Sequence, residues 1–172
     1  MITFLTEDYN TFTQKNYNKC LEDIQFHQLS CSCGNKGNLR IHGYYKRSFK
    51  SSNGKCTLRI CRVKCPHCRK THALIPSFLV PYSQISLADQ VAIIKASSTS
   101  NLQDVMHSNV LIDESNCYHI RRQFKRLWEQ RLLSYHITMQ TYSHLVVNCI
   151  RSFSRQFMQI KNTPNILFSK TT

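Results

Sequence analysis

The chain has 172 residues, with 23 Lys and Arg against 9 Asp and Glu, a formal net charge of +14 and a sequence pI near 9.6. This length holds one ordinary domain or two small ones, and the charge imbalance directs the chain toward a polyanionic partner. The most basic stretch shows neither a long apolar run nor an amphipathic pattern with a basic face, which excludes a membrane role in favour of nucleic acid.

The amino terminus, MITFLTEDYN, lacks a basic region followed by an apolar segment, so no export signal is read and a cytoplasmic protein is expected. In that reducing compartment the 9 cysteines point to metal ligation rather than disulfides. Residues 1–28 read as an N-terminal segment with a short strand at Ile2–Leu5 and a polar helix reaching Phe26.

Residues 29–72 read as a zinc ribbon. Cys31 and Cys33 precede Gly34; then come the basic and aromatic run LRIHGYYKRSF, the pair Asn53-Gly54, the run TLRICRVK, and Cys65 and Cys68 around Pro66. Asn-Gly between two β-like runs predicts a hairpin. Between Asp23 and Asp89 there is no acid, while Lys36, Arg40, Lys46, Arg47, Lys50, Lys55, Arg59, Arg62, Lys64, Arg69 and Lys70 make one positive surface the expectation.

Residues 73–85 place Pro76 and Pro81 in an apolar stretch, which predicts an extended, ordered linker rather than a helix. Residues 86–160 then take a helical period. Ser86 with Asp89 has the form of a capping box, and Leu87, Val91 and Ile94 share a face, giving a helix over about 86–97. Ser100 with Gln103 repeats the signature for a short second helix carrying Leu102, Val105 and Met106. Asp113 or Ser115 can cap a third helix, in which Cys117, Ile120, Phe124 and Leu127 form the apolar stripe. A fourth helix is expected from Ser143 to Ile160, limited by Pro164, with residues 161–172 as an extended tail.

Cysteine pairs bracketing a hairpin can gather four thiolates around one tetrahedral Zn2+, so Cys31, Cys33, Cys65 and Cys68 are the expected ligands. Cys61, His67 and His72 are alternatives to a member of the tight C-x-C pair. Cys20, Cys56, Cys117 and Cys149 read as core or surface thiols.

Nucleic-acid contacts are expected from two places. Helices two and three would act as a helix-turn-helix in which Tyr118, His119, Arg121, Arg122, Lys125 and Arg126 face double-stranded DNA. The ribbon would add Tyr44, Tyr45, Lys46, Arg47, Arg59 and Arg62 through phosphate contacts or base stacking. Two-metal phosphoryl chemistry needs several converging carboxylates; Asp89, Asp104, Asp113, Glu114 and Glu129 read instead as helix-start or surface acids, so no enzyme is expected. An apolar face at Val146, Ile150, Phe153 and Phe157 would also serve an adaptor that binds a recombinase or polymerase.

The runs HGYYKRSF, RVKCPHC and KTHALIPSFLVPYS resemble an uncharacterised zinc-ribbon family of Gram-positive bacteria associated with transposases. The layout over residues 29–160 is also similar to the amino-terminal ribbon and helix-turn-helix of insertion-sequence transposases. The resemblance implies a mobile-element setting: an accessory protein, or a remnant without a catalytic domain, working beside a transposase or recombinase. The expected fold is thus α+β, a small zinc-ribbon hairpin domain followed by an all-helical, helix-turn-helix-like domain.

Overall fold

A computed structural model describes residues 1–6, 11–51, 54–96, 99–139, 141–159 and 166–168. The expected hairpin is formed by β2 (Arg40–Ser51) and β3 (Gly54–Lys64), paired antiparallel from Arg40↔Lys64 to Ser51↔Gly54 with a bulge between Ile41 and Gly43. Gly54 takes a φ of +108° at the turn, a value that suits glycine. Its partner Asn53 lies outside the described residues, as do Ile160, Pro164 and the side chain of Ser100.

The start of the expected extended linker is paired into the sheet. Thr71–Pro76 is a strand, β4, antiparallel to β3 over Arg62–Lys64 and then parallel to β1 (Ile2–Phe4) in the register Ile2↔Leu74. Its apolar residues Leu74 and Ile75 are fully buried, as an interior strand covered on both faces requires. Pro76 sits at the last paired position, opposite Phe4, where a missing donor costs the ladder least. In the expected tail, Ile166–Phe168 forms β5, parallel to β1, so the sheet order is β2-β3-β4-β1-β5.

Helix α1 (Gln14–Asp23), capped by Thr13, lies where β4 leaves the edge of β3. The Tyr17 hydroxyl accepts from the Cys61 N–H at 2.9 Å and donates to the Leu74 carbonyl at 2.8 Å. One turn earlier, the Gln14 amide accepts from the Arg59 N–H at 2.7 Å and donates to the Arg59 carbonyl at 3.4 Å. A strand edge that would otherwise present open backbone groups is thereby closed by side chains.

After β4 the regular elements are helices until β5. Helix α2 (Leu87–Lys95) starts at Ser86, whose hydroxyl accepts from the Asp89 N–H and donates to its carboxylate. Next come α3 (Thr99–Ser108) and α4 (Glu114–Leu127), the latter capped by Asp113, which accepts from the Asn116 N–H at 2.7 Å. The short α5 (Glu129–Ser134) follows Trp128. Helix α6 (Tyr142–Phe153) ends seven residues before the sequence pattern does. Ser154 turns left-handed there (φ +52°), and its N–H closes on the Ile150 carbonyl. Phe157 still reaches the core, from the turn rather than from the helix.

Two apolar clusters fill the interior: one drawn from residues between Ile2 and Leu79, the other from the helices and their connecting turns between Val80 and Met158. They are stitched together by Gln156, which donates to the carbonyls of Ser77 (2.7 Å) and Leu79 (3.0 Å) and accepts from the Thr3 hydroxyl (3.2 Å). No helix among the described residues is long and apolar enough to cross a membrane.

Candidate metal centre

Two tight turns carry the four cysteines. In the first, the Gly34 N–H bonds the Cys31 carbonyl at 3.0 Å and the Cys31 N–H bonds the Asn35 carbonyl at 2.8 Å. In the second, the Arg69 N–H bonds the Cys65 carbonyl at 2.9 Å and the Cys65 N–H bonds the Lys70 carbonyl at 2.9 Å. The residue after the second cysteine of each pair is left-handed: Gly34 at φ +86° and Arg69 at φ +59°. Gly37 returns the first turn to the sheet at φ +77°, where an added Cβ would stand 2.9 Å from the His27 carbonyl oxygen.

The sulfurs of Cys31, Cys33, Cys65 and Cys68 all lie within 4.8 Å of one another. A metal–sulfur bond of about 2.3 Å in a tetrahedron sets sulfur–sulfur edges of about 3.8 Å. Cys33 and Cys65 are separated by 3.8 Å and Cys31 and Cys68 by 3.4 Å, so the donor set fits such an ion. Burial pushes the Cys31 thiol up to about 12, and a divalent cation would reverse that preference by favouring the thiolate.

The alternatives to this set fall outside it. Cys61 is buried under α1, His67 is exposed in the second turn, and His72 stands beside the cluster with Nε2 at 3.2 Å from Cys31 Sγ. Burial, then the positive charge of the amino terminus and of Lys70, lowers the His72 pKa to about 4.

The basic side chains of the hairpin divide by strand parity. Tyr44, Lys46, Ser48 and Lys50 share a face with Lys55, Thr57 and Arg59. On it the Arg59 guanidinium lies 4.7 Å from the Tyr44 ring centroid, and Ser48 and Thr57 share a 2.9 Å hydrogen bond. The opposite face carries Phe49, Leu58 and Ile60 into the core, together with half-buried Tyr45 and Arg47. Arg47 donates to the carbonyls of Val80 (2.6 Å) and Ser83 (3.1 Å), so its guanidinium holds the chain after β4. Arg62 is exposed beside Tyr45.

On α4, Tyr118, His119, Arg122, Lys125 and Arg126 are exposed and Cys117 and Ile120 are buried, as the stripe predicts. Arg121 differs: it donates to the carbonyls of Ile93 (3.1 Å) and Ala96, tying α4 to the end of α2. Lys50 and Asn116 were not singled out by the sequence, yet Lys50 Nζ donates to Asn116 Oδ1 at 2.8 Å and joins the outer hairpin face to α4. Lys50 stands out in sequence only as one of many cations; what sets it apart is its pairing position next to the turn.

These features define a mixed α+β protein with a four-cysteine site able to hold a metal ion. Residues 30–122 match the family described as Domain of unknown function (DUF6431), and the chain belongs to that family. The matched stretch runs from the first cysteine turn through the hairpin and β4 into α4. No curated protein matches the chain. No solved structure matches it either.

Proposed function

We propose that the protein binds double-stranded DNA, with one structural Zn2+ held by Cys31, Cys33, Cys65 and Cys68, and that it serves a mobile element as a recognition or accessory protein without chemistry of its own. The observation that carries this reading is the Lys50–Asn116 contact. It runs the outer hairpin face with Tyr44, Lys46, Lys55 and Arg59 into α4 with His119, Arg122 and Arg126. Seven strand residues at about 3.3 Å each and four helical turns give a positive surface on the scale of a DNA groove segment. Helices α3 and α4 act in this reading as a helix-turn-helix, and zinc ties the turn before β2 to the turn after β3.

Titration of labelled duplex, single-stranded DNA and RNA over a range of salt tests the proposal. Duplex affinity falls steeply with salt, because each neutralised phosphate releases condensed counterions. Equal affinity for all three ligands, or none for duplex, overturns it. With Mg2+ or Mn2+ the protein neither cleaves nor joins DNA. The four gathered cysteines are thiolate donors suited to a structural ion, whereas two-metal phosphoryl transfer uses carboxylates.

A groove of about 860 Å3 between α3 and α4 favours a second reading, an adaptor for a protein such as a recombinase. Its floor holds Leu102, Met106 and Cys117 and its rim Arg122, Lys125 and Arg126. In that case substitutions at Leu102 and Met106 abolish partner capture and leave duplex affinity unchanged.

A further inference from the structure

We propose that His72 is a positioning residue of the metal centre: its Nε2–H donates to Cys31 Sγ and holds that thiolate toward the ion, without His72 being a ligand. The inference rests on the four-cysteine zinc reading. Four thiolates on one divalent ion leave two surplus negative charges, and these need hydrogen-bond donors around the sulfurs.

Backbone groups are the usual source of such donors: the Cys33 N–H serves Cys31 Sγ, while the N–H groups of Cys31, Gly34, Cys65 and Arg69 are directed to carbonyl oxygens. The His72 ring nitrogen, 3.2 Å from Cys31 Sγ, is placed to supply a second donor. Both residues are buried, at 5% and 3% exposure, so water does not compete for the sulfur. His72 is carried on β4 opposite Val63, at the register where β4 is anchored to β3. The imidazole is therefore held by the sheet, while Cys31 sits on a turn, and the bond ties the less regular partner to the more rigid one. The sulfurs of the four cysteines approach one another mutually, and His72 stands outside that group.

Zinc competition against a chromophoric chelator, together with the absorption spectrum of the Co2+-loaded protein, tests this on the full chain. His72→Phe keeps a ring and removes the donor. It is expected to weaken zinc binding about 10–100-fold, the usual cost of removing an outer-shell partner. It also moves the thiolate-to-cobalt charge-transfer band to lower energy, because an unbonded sulfur releases charge more readily. His72→Gln, whose Nε2 reaches a similar place, restores both. If His72→Phe does not fold, His72→Asn, whose amide is too short to reach Cys31, replaces it in the comparison with Gln.

Unchanged affinity and spectrum in His72→Phe overturn the proposal, and so does an equal loss in Phe and Gln without a band shift, which marks packing alone. A cobalt spectrum of three sulfurs and one nitrogen, lost with His72, overturns it by making His72 a ligand. Wild-type protein that folds and binds no zinc overturns the four-cysteine reading itself, an outcome distinct from these.

Discussion

A single hydroxyl closes the gap where β3 and β4 part. Tyr17 bridges the Cys61 N–H and the Leu74 carbonyl at full burial. Tyr17→Phe leaves two buried backbone groups without that partner at roughly 1–3 kcal/mol each, less whatever relaxation restores. The expected result is a lower urea midpoint with an unchanged slope; an unchanged midpoint would show that the strands close without the bridge. Arg47 belongs to the same scale. In sequence it is one cation in the run Lys46-Arg47, and only the parity of the hairpin sends it inward to the carbonyls of Val80 and Ser83. Arg47→Ala therefore lowers the melting temperature, whereas Lys46→Ala leaves it unchanged and weakens duplex binding. The reverse pattern would place Arg47, not Lys46, on the DNA.

Among the elements, α4 is the most legible, because one of its two candidate caps, Asp113, and its apolar stripe are local properties of residues 113–127. What the stripe could not show is that Arg121, at the border of the stripe, is consumed by the end of α2. The two neighbours should therefore separate in experiment: Arg121→Ala loosens α4 against α2 and lowers stability, while Arg122→Ala lowers affinity for duplex alone. Equal effects on folding from both would contradict that division. The cysteine spacing and the Asn-Gly signal likewise exposed the hairpin and the four-cysteine cluster, since both are read within one stretch of chain. Strand β4 was hidden because its identity depends on β1, far away in sequence, and two prolines in an apolar run argue locally for a connector. The early end of α6 was hidden for a related reason: Phe157 keeps the helical spacing although Gln156 must turn back to Ser77 and Leu79.

At the scale of the molecule, Cys31, Cys65 and Cys68 of the four-cysteine site belong to one apolar cluster and the single tryptophan, Trp128, to the other. Gln156, Arg47 and Lys50 connect the two halves, so removing zinc should be felt by both. Purified protein is expected to carry about one zinc per chain. Chelation should move the Trp128 fluorescence transition to lower temperature, although no cysteine ligand belongs to its cluster. A transition indifferent to chelator would show that the halves melt independently.

The place of β1 in the sheet has a consequence for synthesis. Ile2 leaves the ribosome early, yet its partners are Leu74 on one side and Ile166 on the other. At about 5–20 residues per second, the first strand waits several seconds for β4 and longer again for β5. By the time β4 follows, Cys68 has emerged, so the four thiolates can collect an ion before helices α2 to α6 exist. The growing chain thus has a closed four-cysteine site and a β1 paired on its β4 side alone, and the longer interval before β5 arrives leaves that open edge of β1 for a chaperone to hold.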